Sequence, residues 1–312
     1  MSLRLSIIVP FYNVEQYIAE CLDSLYRQDL PENEFEVICV DDCSPDNTID
    51  IVSSYAKKHD NLKIVKNKLN RKLGGARNAG MEVASGNYVL FVDSDDFIED
   101  NILKTLCTIA ENDNLDVLHF NYDTYPIINY SMRRVESLDV MTGPELFFDE
   151  RFIWYHDLVT AWRKIYKRSF LIDNKITFAE QIMFEDVDYA LRVFAKAKRV
   201  RHIGLIGYKY RFNENSITRI KHNSQHIRYW VKLCERFWEM KSAFVADGAD
   251  SRFQDCIDSF IKHQINRVLN EYSSLEKKEK KESHIVIKAA LGSPLGKYVS
   301  QKKRLRFVFG LL

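Results

Sequence analysis

"YVLFVDSDDF", residues 88–97, runs from five apolar or aromatic residues directly into Asp93, Asp95 and Asp96. A short apolar run bounded by polar residues reads as a buried strand, and the acids at its end repel one another unless something satisfies them. In extended backbone, residues two apart point to the same side, so Asp93 and Asp95 can face one cation while Ser94 between them faces away. Hard divalent ions such as Mg²⁺ and Mn²⁺ take oxygen ligands and commonly share them with substrate phosphates through one or two protein carboxylates. The competing reading is that these aspartates cap a following helix whose first turn holds Phe97, Ile98 and Glu99, with Asp96 at its start.

Outward from this stretch, strand-length apolar runs alternate with segments of helical period: "LSIIVP", "VEQYIAECLDSLYRQ", "FEVICVDD", "TIDIVSSYAKK", "LKIVKN" and "GGARNAGMEVAS". Tyr17, Ile18, Cys21, Leu22 and Leu25 share one helical face, with Asn13 and Gln16 as a capping pair. This is a β-α-β-α-β-α-β order, which predicts a mostly parallel sheet covered by helices on both faces. In such sheets ligands sit beyond the carboxyl ends of the strands. There the chain places "PFYN", "DDCSPDNT" and "DSDD". Asp41 and Asp42 can accept hydrogen bonds from a base or ribose, or only cap the next helix. Gly74, Gly75 and Gly80 permit a close backbone approach to a ligand, and Arg77 offers a fixed positive fork suited to phosphate, or else is an ordinary surface arginine.

Other strand-plus-acid folds are disfavoured. The stretch nearest to a phosphate-binding GxxxxGK[ST] loop, "GARNAGME", has Met81 and Glu82 where Lys and Ser or Thr belong, and no GxGxxG follows the first strand. The balance of 45 Lys and Arg against 44 Asp and Glu in 312 residues gives no reason to expect a nucleic-acid partner or an acidic tail. Six cysteines without a CxxC, three of them (Cys21, Cys39, Cys107) in apolar patterns, suit a reducing compartment and no zinc site. The first residues, broken at Pro10, read as a strand rather than a signal peptide, and no stretch reaches the roughly 18 apolar residues that span a bilayer. The expected location is cytoplasmic, with peripheral contact at the inner face of the membrane open.

Farther on, "LDVLHFNYDTYP" reads as a strand, and Thr142, Pro144 and Glu145 as a helix start. Beyond about residue 222, Trp230, Leu233, Phe237, Met240 and Phe244 mark one helix and "CIDSFIKHQINRVLNEY" a second, with "SSLEKKEKKESH" as a solvated linker or helix end. From Ser283 onward Lys288, Lys297, Lys302, Lys303, Arg304 and Arg306 occur without an acid and lead into "FVFGLL". That pattern suits either an anionic membrane surface or a packed helix with a basic face.

Taken together, "SIIVPFYN", "VICVDDCSPDNT", "GGARNAG" and "ASGNYVLFVDSDDF", followed by "AWRKIYKRSFL", "FAEQIMFEDVDYALRVF" and "YKYRFNENSIT", resemble a family 2 glycosyltransferase of the bacterial polysaccharide and lipopolysaccharide type. The likeness covers roughly residues 5–220. It implies an α/β GT-A nucleotide-sugar-binding fold with a helical C-terminal appendage. The domains would be residues 1–220, divided into a nucleotide-binding half (1–100) and an acceptor half (101–220), followed by a helical region (221–312).

The implied activity is an inverting, Mn²⁺- or Mg²⁺-dependent transfer of a sugar from a UDP-linked donor to a hydroxyl of a glycan or lipid-linked acceptor in cell-surface polysaccharide synthesis. The alternative is a non-catalytic nucleotide-sugar or glycan-binding protein on the same fold. By the same resemblance Pro10 and Tyr12 would flank the base, Asp41 and Asp42 would read base and ribose, and Arg77 and Ser94 would lie on the donor side. Asp93 and Asp95 would be the DxD pair for metal or ribose, Asp186 the general base with Glu185 beside it, and Trp162 and Lys164 the acceptor border. Cys43 stands where the family usually has Gly, which implies a different turn.

Overall fold

The computed structural model describes residues 3–126, 134–212 and 223–308. Its strands are β1 (Leu5–Phe11), β2 (Phe35–Asp41), β3 (Leu62–Lys66), β4 (Tyr88–Phe91), β5 (Phe97–Ile98), β6 (Val117–Tyr125), β7 (Lys164–Lys167) and β8 (Val200–Arg211). The helices are α1 (Ile18–Tyr26), α2 (Thr48–Ala56), α3 (Lys72–Val83), α4 (Leu103–Asn112), α5 (Gly143–Phe147), α6 (Trp154–Asp157), α7 (Arg168–Asp173), α8 (Glu185–Lys196), α9 (Ser224–Ala246), α10 (Ser251–Ser274), α11 (Lys277–Gly292) and α12 (Gln301–Val308). They group into two compact units, one of Met1–Gln181 with Glu185–Asn213 and one of Ile182–Phe184 with Glu214–Leu312.

In the first unit the strands form one eight-stranded sheet in the order β3-β2-β1-β4-β7-β6-β8-β5. β1 to β4 pair in parallel, and every residue of β1 is buried, as expected of strands covered on both faces. β7 runs antiparallel to both β4 and β6, and β5 antiparallel to β8, so the sheet is mixed in its second half. Pro10 lies inside β1 rather than ending it. Pairing with β4 stops at Ile8, so Pro10 has a strand neighbour on the β2 side alone.

The residues after "DSDD" form the short strand β5, not a helix, and α4 begins only at Leu103. The helix-capping reading of Asp93, Asp95 and Asp96 therefore fails. Asn13 and Gln16 do not cap α1 either: the helix starts at Ile18, and Asn13 sits at φ 56° with its N–H on Ser44 Oγ at 2.8 Å. Thr142 and Glu145 do form a reciprocal capping box at α5, with proline in its first turn.

Helix α3 lies tightly against its surroundings because its glycines allow it. A Cβ at Gly80 would fall 2.4 Å from Ile8 Cγ2, and one at Gly74 would fall 2.3 Å from the Ala179 carbonyl oxygen. The close approach predicted for a ligand is made by the protein itself.

The second unit contains the long antiparallel-type pair α9 and α10, joined by Phe237 against Phe260 (ring centroids 4.5 Å apart) and Phe244 against Phe253 (5.8 Å). The segment expected as a solvated linker or helix end runs from the end of α10 into the first half of α11. Its Lys and Glu residues are good helix formers, and the helix buries Ser283, Ile287, Ala290 and Leu291.

Candidate active site

Three loops leave the carboxyl ends of β1, β2 and β4. Tyr12, just past β1, is 51% exposed. After β2, Asp41 Oδ1 accepts the Ser44 N–H at 2.8 Å. Asp42 is buried, and its Oδ1 accepts Asn67 Nδ2 and the Arg71 N–H, both at 2.8 Å. Neither caps α2; Asp46 takes that part, accepting from Thr48 N at 3.2 Å and Thr48 Oγ1 at 2.7 Å. Cys43 sits at φ 67°, the left-handed region that glycine favours.

The "DSDD" turn is pinned from β8. Tyr208 Oη accepts the Asp93 N–H at 3.1 Å and donates to Asp96 Oδ2 at 2.8 Å, while the Arg211 N–H donates to Asp96 Oδ1 at 2.7 Å. Asp96 is thus a buried internal tie, and Ser94 is buried beside it. Asp95 makes no ion pair among the described residues. Burial, reinforced by the Asp93 charge, pushes its carboxyl up to about 6.

Arg77 joins the two halves of the sheet unit. It is fully buried; its Nη2 donates to Asp93 Oδ1 at 2.8 Å, and its Nη1 to Glu185 Oε1 at 2.9 Å and Asp186 Oδ1 at 2.7 Å. It is therefore neither a surface arginine nor an open phosphate fork, because three carboxylates already occupy its outer nitrogens. The Asp186 side chain keeps 22% exposure, against 6% for Glu185. Asp186 Oδ2 also receives the Ala161 N–H at 3.3 Å. Burial raises the Glu185 carboxyl well above its usual range, helped by the Asp186 charge and a side-chain hydrogen bond to Asp186.

The glycosyl transferase family 2 model matches residues 6–174. The chain belongs to glycosyl transferase family 2. It is 37% identical over 224 residues to the uncharacterized glycosyltransferase EpsJ of Bacillus subtilis, covering 69% of this chain and 63% of that protein. It is 34% identical over 202 residues to the poly(ribitol-phosphate) beta-glucosyltransferase of Bacillus spizizenii, covering 64% of this chain and 30% of that one. The chain thus spans less than two thirds of the length of these two curated relatives. Among solved structures, the S. aureus TarS 1–349 complex with UDP-GlcNAc matches with a TM-score of 0.70 at 26% identity, covering 96% of this chain and 83% of that one. The fold is the GT-A fold of that structure.

For this family 2 member the positions expected at the acceptor border lie inside the protein. Trp162 is 6% exposed and stacks on Tyr208 at 4.4 Å and Tyr210 at 5.8 Å. Lys164 is 1% exposed, donates to the Thr160 carbonyl and is held well below the usual lysine range by burial and by Arg163. Both side chains are therefore held inside the protein rather than presented at its surface.

In the sequence Tyr208 and Arg211 stand within the family-like segment "YKYRFNENSIT" and carry no signal of a role of their own. Their contacts with "DSDD" cross more than a hundred residues of chain, which no local pattern reveals. The rest of that segment, residues 213–218, lies outside the described residues, as does the end of "FVFGLL" from residue 309.

Proposed function

We propose that this chain is an inverting, divalent-metal-dependent glycosyltransferase that moves a sugar from a UDP-linked donor to a hydroxyl of a glycan or lipid-linked acceptor in cell-surface polysaccharide synthesis. The observation that carries the reading is the buried guanidinium of Arg77, which holds Asp93 of the "DSDD" loop and Asp186 of α8 on its two outer nitrogens. A donor-side and an acceptor-side carboxylate are thereby set on either side of one fixed cation.

Pro10 and Tyr12 flank the nucleobase in this reading, and Asp41 and Asp42 read base and ribose. Ser94 and Asp93 lie along the donor, with Arg77 acting on it through Asp93. The donor set suits Mn²⁺ or Mg²⁺: Asp95 is a carboxylate without an ion-pair partner among the described residues, crowded by Asp93, and a cation relieves that repulsion. Among the described residues no cluster of three or more His, Cys, Asp or Glu can hold an ion alone. Asp95 and Asp93 would hold it together with the donor's diphosphate, and it would act as a Lewis acid for the departing phosphate oxygens.

Asp186 takes the proton of the acceptor hydroxyl as that oxygen bonds to the anomeric carbon. The carbon–oxygen bond to the diphosphate breaks on the opposite face, UDP leaves, and the centre inverts. Arg77 and the Ala161 N–H fix the Asp186 carboxylate in place, with Glu185 beside it on the same guanidinium. Trp162 and Lys164 shape the acceptor side from below.

No described helix is long and apolar enough to cross a membrane. In α12, exposed Leu305 and Val308 accompany Lys302, Arg304 and Arg306, which suits peripheral contact with an anionic membrane surface where lipid-linked acceptors lie.

The test is a screen of UDP, GDP and dTDP sugars with Mn²⁺, read by thermal shift and by donor hydrolysis or transfer, on wild type, Asp95→Ala and Asp186→Asn. Asp95→Ala should lose the Mn²⁺-dependent nucleotide shift. Asp186→Asn should keep that shift and lose at least about 100-fold in turnover. A fully active Asp186→Asn protein refutes the assignment of the base.

A further inference from the structure

The ion pair between Arg71 and Glu180 has no evident purpose in stability. Its side chains are 27% and 38% exposed, and ion pairs so placed contribute about 0–1 kcal/mol. Yet its geometry is that of a fork, with Arg71 Nη2 to Glu180 Oε1 at 2.6 Å and Nε to Oε2 at 3.2 Å.

On one side, Arg71 belongs to the loop that grips Asp42. Its own N–H donates to Asp42 Oδ1 at 2.8 Å, and neighbouring Asn70 Nδ2 donates to the Asp42 carbonyl at 3.0 Å. On the other side, Glu180 belongs to the segment Phe178–Gln181, which lies along the start of α3. Asn78 and the Phe178 backbone exchange two hydrogen bonds, at 2.9 and 3.0 Å. Asn78 Nδ2 also reaches Glu180 Oε1 at 3.1 Å, and Gln181 Nε2 donates to the Asn70 carbonyl at 2.8 Å. The bare α-carbon of Gly74 leaves the space that the Ala179 carbonyl enters. Phe178 stacks on Tyr189 of α8 at 3.8 Å and lies under the Arg77 guanidinium at 5.1 Å. Gln181 sits at φ 56°, a conformation that its anchors must maintain. Glu185 and Asp186 follow within five residues.

We propose that Arg71 and Glu180 are positioning residues: one arginine, by its backbone on Asp42 and its side chain on Glu180, locks the nucleotide-side aspartate and the acceptor-side carboxylate Asp186 into a single register. A donor seated against Asp42 then meets Asp186 already placed. The inference rests on the functional reading above, in which Asp42 is donor-side and Asp186 is the base. A misplacement of about 1 Å costs up to about 100-fold in rate, so a weakly stabilising pair can matter greatly for turnover.

The experiment uses the full chain and the nucleotide sugar that the donor screen identifies. Donor KM, kcat, UDP affinity by calorimetry and Tm are compared for wild type, Arg71→Met, Glu180→Gln and the double variant. Each single variant should lower kcat about 10-fold, with UDP affinity within about 3-fold and Tm within about 2 °C, since the Asn67 and Arg71 N–H bonds to Asp42 survive. The double variant should lose no more than either single one, because both remove the same link. Unchanged kcat in both single variants overturns the proposal, as does a double loss equal to the product of the single losses, or a loss that follows Tm. A wild-type chain that turns over no nucleotide sugar overturns the functional reading itself, and the lock with it.

Discussion

Replacing Arg77 with Met should destabilise the protein by about 3–5 kcal/mol at pH 8, the usual cost of removing one partner from a buried ionic cluster. The side chain is fully buried and its outer nitrogens lie 2.7–2.9 Å from Asp93, Glu185 and Asp186. Methionine approximates the length of the stem and removes the charge, so three acids are left facing one another without a cation.

The loss should depend on pH in a definite direction. Burial already raises the Glu185 carboxyl, and Arg77 is the group that opposes this rise. Without Arg77 the folded-state value climbs farther above its unfolded value of about 4.3. A carboxyl raised on folding contributes stability that is fully present below the unfolded value and is lost as pH rises through the folded one. The difference between wild type and variant should therefore be smaller at pH 5 than at pH 8. Urea midpoints at pH 5, 6.5 and 8 measure it, with Arg77→Lys as the partner variant. Lysine keeps the charge but has no planar fork to reach all three acids, so it should fall between the two. A loss below about 1 kcal/mol at pH 8, or one that does not vary with pH, would refute the argument that Arg77 neutralises this cluster.

Cys43→Gly should raise stability by about 1 kcal/mol in the same urea assay, because φ 67° costs a Cβ-bearing residue roughly 1–2 kcal/mol and glycine's freedom in the unfolded chain offsets only part of that. Cys43→Ala, which keeps the Cβ, should show no such gain; equal gains in both would point away from the backbone. His119 and His202 are buried with their Nδ1 atoms 2.8 Å apart, facing Arg163, Lys164, Arg151 and Asp157, and burial holds His202 down to about 4. A histidine depressed on folding stabilises above its unfolded value of about 6.5 and loses that contribution as pH falls toward 4, so wild type should weaken over this window and His202→Asn should show a shallower slope.

Much of the first half of the sheet could be read directly. The runs at β1, β2 and β4 are buried on both faces and therefore continuously apolar, and their polar ends bring Tyr12, Asp42 and Asp93 to one edge. The capping box at Thr142 and Glu145 was legible for the same reason, being complete within four residues. The errors have a shared cause. For Asn13, Asp96 and the glycines of α3 the local pattern points to partners near in sequence or to a ligand, while the actual partners are Ser44, β8 and the Ala179 and Ile8 surfaces.

Taken alone, the amino-acid order determines which elements form and which chemistry reaches the strand ends, because hydrophobic period and turn residues act over a few positions. What charge each acid feels was decided by tertiary structure. "YVLFVDSDDF" supplies three aspartates of one type, but only folding gives Asp93 to Arg77, leaves Asp95 without an ion-pair partner among the described residues and ties Asp96 to Tyr208. Electrostatic environment depends on burial and on neighbours brought from 16 to more than 100 residues away, and no local pattern encodes those distances.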